Sequence, residues 1–521
     1  MKTKTFAIVI LSFFILLTNI SVNAQVSSAG VDSLVQRAMK EFNVAGIAVA
    51  IVKDGKIVYE KGFGVRSIAT KLAVDEHTNF QIASNSKAFT TAALSILIDE
   101  GKLSWKDKVK TYLPEFKMYN DYVTENFLVE DLLCHRSGLG LGAGDLMDFP
   151  DGTNFTIQDK LTNFQYFKPV SGFRTQFDYD NQLYFIAGEL IARVSGMTWE
   201  KFIQSRILDP LQMNNSFSSL GALKDKSNLA APHSTATGAI RTIDAFQDQV
   251  NGAAGGIVSN VDDMSKWMIA QLNKGKYGAS LDKRLFTEAR QKEMWTIHTI
   301  MNANNEFRYN QHFSGYGLGW RVTDIKGNLL VAHTGGLPGM LTSVTMIPDL
   351  KLGIVVLTNT ENGGGPAFSA INKSILDQYL GLNNIDWISV YYKDYASGKN
   401  NADSVTAKVW QTVEANKKTI VDAANYAGIY EDKWFGKIEV FLKANQLWFK
   451  SYRSPKLNGP MQFYKANTFA IKWEYQDMNC DAFALFSLDE EGKAQSIKMK
   501  GISPDIDFSF DFQDLDLQRA K

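Results

Sequence analysis

The sequence predicts an α/β protein in which an antiparallel sheet flanked by helices is interrupted by a helical insertion, with a small antiparallel β-barrel behind it. Three observations carry this. Strand-like segments cluster at residues 45–65 and again at 315–359. The stretch between them, about residues 105–300, is richer in helical periodicity and long loops. From Tyr426 the chain changes to short alternating segments such as KIEVFLKANQLWFKS and DAFALFSL, a spacing that suits a closed barrel of about 100 residues.

Residues 1–24 read as a secretory signal peptide, because Lys2 and Lys4 precede an apolar run from Phe6 to Leu17, and Val22-Asn23-Ala24 offers small residues for cleavage. The run is short for a membrane span, so no stable membrane insertion is expected after its removal. A secreted, periplasmic location follows as an expectation. Leu34, Val35, Ala38, Met39 and Phe42 then recur at helical spacing, with Asp32 as the expected cap. AGIAVAIVKDGKIVYEKGFGV holds two apolar runs joined by Lys53-Asp54-Gly55-Lys56, a hairpin signal. A helix is expected from near Ser84 to Gly101. Strands are expected in YGLGWRV, LLVAHTGG and LTSVTMIPDLKLGIVVLTN, and INKSILDQYLGL closes the first unit as a helix. The division is therefore 25–382 for this unit, 383–415 for a polar connector around DYASGKNNADS, and 416–521 for the barrel.

The 521 residues include 45% apolar and 21% charged, the balance of a globular protein with room for two domains. Lys+Arg and Asp+Glu both total 55, so no basic field exists to hold a nucleic acid. Cys134 and Cys480 fall in different units and read as buried, unpaired residues. No His/Cys cluster or HExxH spacing points to a metal.

The stretch FQIASNSKAFT places Ser84 one helical turn before Lys87 on the same face. A serine hydroxyl is a weak nucleophile until a base takes its proton, and a desolvated lysine at a helix N-terminus is a suitable base. Alone, the pair also reads as a helix cap beside a solvated lysine, and Ser280-Leu-Asp-Lys283 matches the same spacing. Two further elements turn the balance: Phe177-Asp178-Tyr179-Asp180-Asn181 at the start of a buried helix, and Val331-Ala332-His333-Thr334-Gly335-Gly336 at the end of a strand.

Ser84-x-x-Lys87, Tyr179-x-Asn181 and His333-Thr334-Gly335, in this order, resemble the serine β-lactamase and penicillin-binding-protein superfamily, in particular its class C-like branch. LLCHRSGL (132–139), AAGGIVSNVDDMSKW (253–267) and GYGLGW (315–320) are similar to that branch too. The C-terminal barrel resembles the lipocalin-like accessory domain of some peptidase members. The resemblance implies Ser84 as the acylated nucleophile, Lys87 and Tyr179 sharing the proton traffic, and a partly ionised Tyr179 phenol. It implies that Asn181 orients Lys87 and the substrate amide, that His333, Thr334, Gly335 and Gly336 border the substrate, and that the amides of Ser84 and Gly336 form the oxyanion hole. It implies no metal or organic cofactor.

His333 stands where β-lactamases of the superfamily usually carry lysine. A histidine is mostly neutral above its unperturbed pKa of about 6.5, which turns expectation from penicillins toward peptide, amide or ester substrates. A β-lactamase and a penicillin-binding sensor with slow deacylation are the alternatives. Asp180 and Leu183 depart from the small residue and the glycine usual there. His135 is expected to be a buried structural histidine and His233 a surface one. Assembly into oligomers is left open by the sequence.

Overall fold

A computed structural model of the chain describes residues 27–247, 250–303 and 307–520. The leader read in residues 1–24 lies outside them. Strands β1 (Gly46–Lys53) and β2 (Lys56–Gly64) form the expected hairpin, and its turn residues Asp54 and Gly55 both take positive φ, 51° and 75°. Six further strands complete the main sheet: β3 (Thr299–Met301), β4 (Ser314–Tyr316), β5 (Arg321–Ile325), β6 (Asn328–Leu337), β7 (Met340–Ile347) and β8 (Leu352–Thr358). The order is β2-β1-β8-β7-β6-β5-β4-β3, antiparallel throughout. Pairing of β1 with β8 joins the two ends of the domain, as the sequence implies, and leaves residues 65–298 as the insertion.

The long helices are α1 (Ser28–Glu41), α2 (Ser86–Asp99), α3 (Gln182–Ser195), α4 (Val261–Leu272), α5 (Gly364–Tyr379) and α6 (Trp387–Ala415). Both faces of the sheet are covered, which is why β1 reads as an unbroken apolar run rather than an alternating one. Ile47, Val49 and Ile51 pack with Val35 of α1 and Ile371 of α5, whereas Ala48, Ala50 and Val52 belong to the core containing Phe89 of α2 and Trp267 of α4. The cap of α1 is Ser27, whose side chain accepts from Gly30 N. Asp32, expected there, sits inside the helix and holds Tyr59 Oη and Lys61 Nζ at 2.7 Å each.

The segment read as a polar connector forms the 29-residue helix α6. Its middle, with Gly398, Asn400 and Asn401, has poor helix propensity. The two ends are anchored instead: Trp387 Nε1 donates to Asp377 Oδ2 of α5 at 2.7 Å, and Val409 and Val413 pack on Ala470 and Ile502 of the barrel. Tertiary packing overrides the local signal.

The barrel comprises β9 (Gly428–Asp432), β10 (Gly436–Lys443), β11 (Gln446–Ser451), β12 (Asn458–Lys465), β13 (Thr468–Ile471), β14 (Ala482–Leu488), β15 (Ala494–Gly501) and β16 (Leu517–Arg519). These strands run in sequential order and close through β9–β16 pairing. Tyr430, Phe449, Phe469 and Phe486 are buried within the barrel. Neighbouring Trp448 lies on the other face under Lys443, 3.8 Å from its Nζ, so Trp448 and Phe449 form no common platform. The barrel docks on the insertion by packing Trp434 at a tilt against Phe167, ring centroids 4.7 Å apart, and by the Arg453 guanidinium, which pairs with Asp159 at 2.8 and 2.9 Å. Cys134 and Cys480 are free and buried. Among the described residues, no helix is long and apolar enough to cross a membrane.

Candidate active site

Ser84 sits on a short 3-10 turn, Ala83–Asn85, that feeds α2. Ala83 takes φ 51°, a left-handed conformation that costs an alanine about 1–2 kcal/mol. The surroundings hold it there. Thr342 Oγ1 of β7 donates to Ile82 O and accepts from Asn85 Nδ2, both at 2.8 Å. At Gly335 of β6 a Cβ would stand 2.3 Å from Ile82 O. The space that Gly335 leaves on its Cβ side is therefore filled by the serine turn. Gly336 is exposed and, like Ser84, lines a cavity of about 260 Å³.

Lys87 lies behind Ser84 and is fully buried. Its Nζ is 2.9 Å from Ser84 Oγ, 2.7 Å from Asn181 Oδ1 and 2.9 Å from Ala254 O. Burial brings its pKa down to about 7, against the opposing pull of Asp145 and Asp180. A neutral amine there has two N–H groups for Asn181 and Ala254 and a lone pair for the serine hydroxyl. The arrangement is that of a base aimed at a nucleophile.

Tyr179 lines the same cavity. Burial pushes its phenol well above the ordinary value, with Ser84 and Arg321 pulling the other way. Lys87 Nζ sits over the ring face, 4.9 Å from the centroid. The phenol is thus held protonated, and the expected phenolate gives way to a hydroxyl that can pass a proton on. Asn181 does hold Lys87, but it does not cap α3. Asp180 does: its Oδ1 accepts from Gln182 N at 2.9 Å and Leu183 N at 3.3 Å. His135 accepts from Asp180 N through Nδ1 at 3.0 Å and packs on the Tyr179 ring, centroids 4.1 Å apart. It is the buried histidine the sequence implied. His233 is buried too, not on the surface, and is bonded to Ile68 N and Asn359 O.

His333 is buried with Nδ1 2.6 Å from Thr334 O and Nε2 2.7 Å from Tyr316 Oη. A carbonyl can only accept, so Nδ1 carries the proton and Nε2 accepts from the tyrosine. Burial and the nearby Lys87 and Arg321 hold the pKa of His333 well below its ordinary value. The imidazole is neutral. Strand β5 pairs with β6 only as far as Ala332, so among the described residues Thr334–Leu337 keeps one edge without a partner strand. That edge borders the cavity through Thr334, Gly336 and Leu337.

The rest of the wall went unseen in the sequence. Arg321 and Glu361 come from the first domain, and Met478, Asp507, Phe508 and Ser509 come from the barrel. The Phe508 ring lies edge-on to Tyr179 with centroids 5.9 Å apart. No local motif marks a residue that reaches a site more than 300 positions away.

The sequence profile of the family described as Beta-lactamase matches residues 31–375. The chain belongs to the Beta-lactamase family. A second profile, a domain of unknown function named DUF3471, matches residues 414–519. Among curated relatives, Unguisins hydrolase ungD of Aspergillus violaceofuscus is 26% identical over 441 residues, 79% of this chain and 76% of the relative. Protein flp of Staphylococcus aureus strain N315 is 27% identical over 342 residues, 64% of this chain and 63% of the relative. The octameric penicillin-binding protein homologue from Pyrococcus abyssi shares the fold with a TM-score of 0.59 at 22% identity, over 94% of this chain and 99% of that one. A penicillin binding protein from Bacillus halodurans aligns over 65% of this chain and 99% of that one, with a TM-score of 0.54 and 21% identity. This Beta-lactamase family member is a serine hydrolase by family.

Proposed function

We propose that the protein is a secreted serine hydrolase that cleaves amide or ester bonds of small peptides or esters through an acyl-enzyme on Ser84. The observation that carries this reading is Lys87 Nζ, buried and 2.9 Å from Ser84 Oγ. Lys87 takes the serine proton as Oγ attacks the substrate carbonyl carbon. The oxygen that gains charge lies against the main-chain N–H groups of Ser84 and Gly336. Collapse breaks the bond to the leaving amine or alcohol, which receives the proton from Lys87 by way of the Tyr179 hydroxyl. Water then attacks the acyl ester with the same base, releasing the acid and restoring Ser84. The substrate backbone lies along the free edge of Thr334–Leu337, and its acyl side chain meets Phe149, Phe177, Phe246 and Phe508.

A neutral His333 offers no permanent cation to a substrate carboxylate. Peptides, amides and esters are therefore favoured over penicillins. Arg321 in the same wall supports a second reading as a β-lactamase. The name hydrolase on a relative favours turnover over a slowly deacylating sensor.

Hydrolysis of a short-chain p-nitrophenyl ester and of L- and D-aminoacyl p-nitroanilides, compared with Ser84→Ala, tests the reading. Multiple turnovers lost in the variant are expected. Product limited to one equivalent per chain would replace the hydrolase with a sensor, and fast cleavage of a chromogenic cephalosporin alone would promote the second reading. Secretion is tested by the N-terminus of the exported protein, expected at residue 25.

A further inference from the structure

Behind Lys87, a run of buried hydrogen bonds leaves the first domain and ends in the barrel. Asn181 receives Lys87 Nζ on Oδ1 at 2.7 Å and donates through Nδ2 to Asp145 Oδ2 at 2.7 Å. Asp145 Oδ2 also accepts from Ser509 Oγ at 3.1 Å, and its Oδ1 accepts from Gln182 Nε2 at 3.1 Å. Ser509 lies between barrel strands β15 and β16. Two residues further on, Asp511 accepts the N–H groups of Gly144 and Leu146 at 2.8 Å each, the amides on either side of Asp145. Asp145, Ser509 and Asp511 are all buried. Gly142, at φ 72°, lets the two domains meet this closely, since a Cβ there would stand 2.6 Å from Phe508 O.

An asparagine amide has an accepting end and a donating end, and Lys87 needs the accepting one. Asp145 is a carboxylate that accepts from Nδ2, so it decides which end faces the lysine. We propose that Asp145 is a positioning residue that fixes the Asn181 amide against Lys87, and that Ser509 and Asp511 of the C-terminal barrel hold Asp145 in place. The barrel is then a working part of the active site. This rests on the Ser84–Lys87 chemistry proposed above.

The titratable groups around Lys87 are Asp145, Asp180, His135, His333, Arg321, Tyr179 and Tyr184. Those around Asp145 are Asp180, Asp511, Lys87, Tyr179 and Asp148, the last paired with Lys160 at 2.6 Å. Asp145 favours the ammonium form of Lys87. Burial raises the Asp145 carboxyl itself to about 7, with the Asn181, Gln182 and Ser509 hydrogen bonds pulling the other way, so removing its charge moves the protonation of Lys87 to lower pH over the range in which Asp145 is ionised.

The test is the rate at which a fluorophosphonate labels Ser84 across pH in the full chain, with thermal unfolding alongside, for wild type, Asp145→Asn, Ser509→Ala and Asp511→Ala. Asp145→Asn is expected to slow the high-pH plateau about tenfold and to move the acid limb to lower pH. Ser509→Ala and Asp511→Ala are expected to slow the plateau about threefold to fivefold. An Asp145→Asn protein that melts earlier but keeps the wild-type plateau and limb would overturn the proposal. If that variant does not fold, Ser509→Ala decides: a slowed plateau supports the proposal and a wild-type rate overturns it. Absence of labelling in the wild type would instead fail the hydrolase reading, and this inference with it.

Discussion

Lys87 and Ser84 act as a pair, 2.9 Å apart. A buried lysine whose pKa is brought down to about 7 acts as a base only when neutral. Acylation is therefore expected to rise with pH, to be half-maximal near pH 7, and to fall below it as the amine takes a proton. The pH dependence of kcat/KM measures this. Lys87→Ala is expected to lower kcat/KM by about 10²–10⁴-fold while leaving the far-ultraviolet circular dichroism intact. The spacing of Ser84 and Lys87, with Tyr179, Asn181 and His333, was legible because each sits in a short local pattern, and these residues converge around one cavity. The protonation states were not legible. Whether Tyr179 ionises depends on burial and on Lys87 lying over the ring face rather than at the hydroxyl, which no motif encodes.

The elements that carry these residues are seated by close contacts. The serine turn fits because Gly335 has no side chain where Ile82 O passes. Gly335→Ala is expected to force that backbone to shift, costing about 1–3 kcal/mol in urea unfolding and lowering turnover by moving Ser84. Asp180→Ala removes the cap of α3, expected to cost about 1 kcal/mol. Hairpin, sheet strands and barrel strands were readable from turn residues and apolar patterns. Helix α6 was not, since Gly398 and the run of Asn, Asp and Ser signal a loop, and only its anchored ends make it a helix. The cap of α1 was displaced in the reading, and Asn181 leaves the capping of α3 to Asp180, for a similar reason. Asp32 is committed to Tyr59 and Lys61, and Asn181 to Lys87 and Asp145.

Across the whole molecule, the barrel and the insertion share one apolar core, and Arg453 is one of the polar clamps between them. Its guanidinium also stacks on Phe155, 3.8 Å from the ring centroid. Asp159 is partly desolvated, yet the Arg453 and Thr156 hydrogen bonds bring its pKa to about 2 from 3.8. A depressed carboxylate pKa stabilises the fold above the unfolded value of 3.8, and that contribution is lost as pH falls toward about 2. Arg453→Ala is expected to cost about 1 kcal/mol at neutral pH, allowing for solvent screening of this partly exposed pair, and the difference from wild type should shrink at low pH. Unfolding midpoints at neutral and acid pH check both. The change of pattern near Tyr426 falls where the barrel strands begin, at Gly428. The barrel's entry into the active site was not readable, because Met478 and residues 507–509 come to line the Ser84 cavity only through the tertiary fold.

The most direct measurement is intact-protein mass spectrometry after mixing with a fluorophosphonate, followed by peptide mapping, on wild type and Ser84→Ala. One adduct per chain, mapped to Ser84 and absent from the variant, is the expected result. No adduct, or one that persists in Ser84→Ala, would contradict the assignment of the nucleophile.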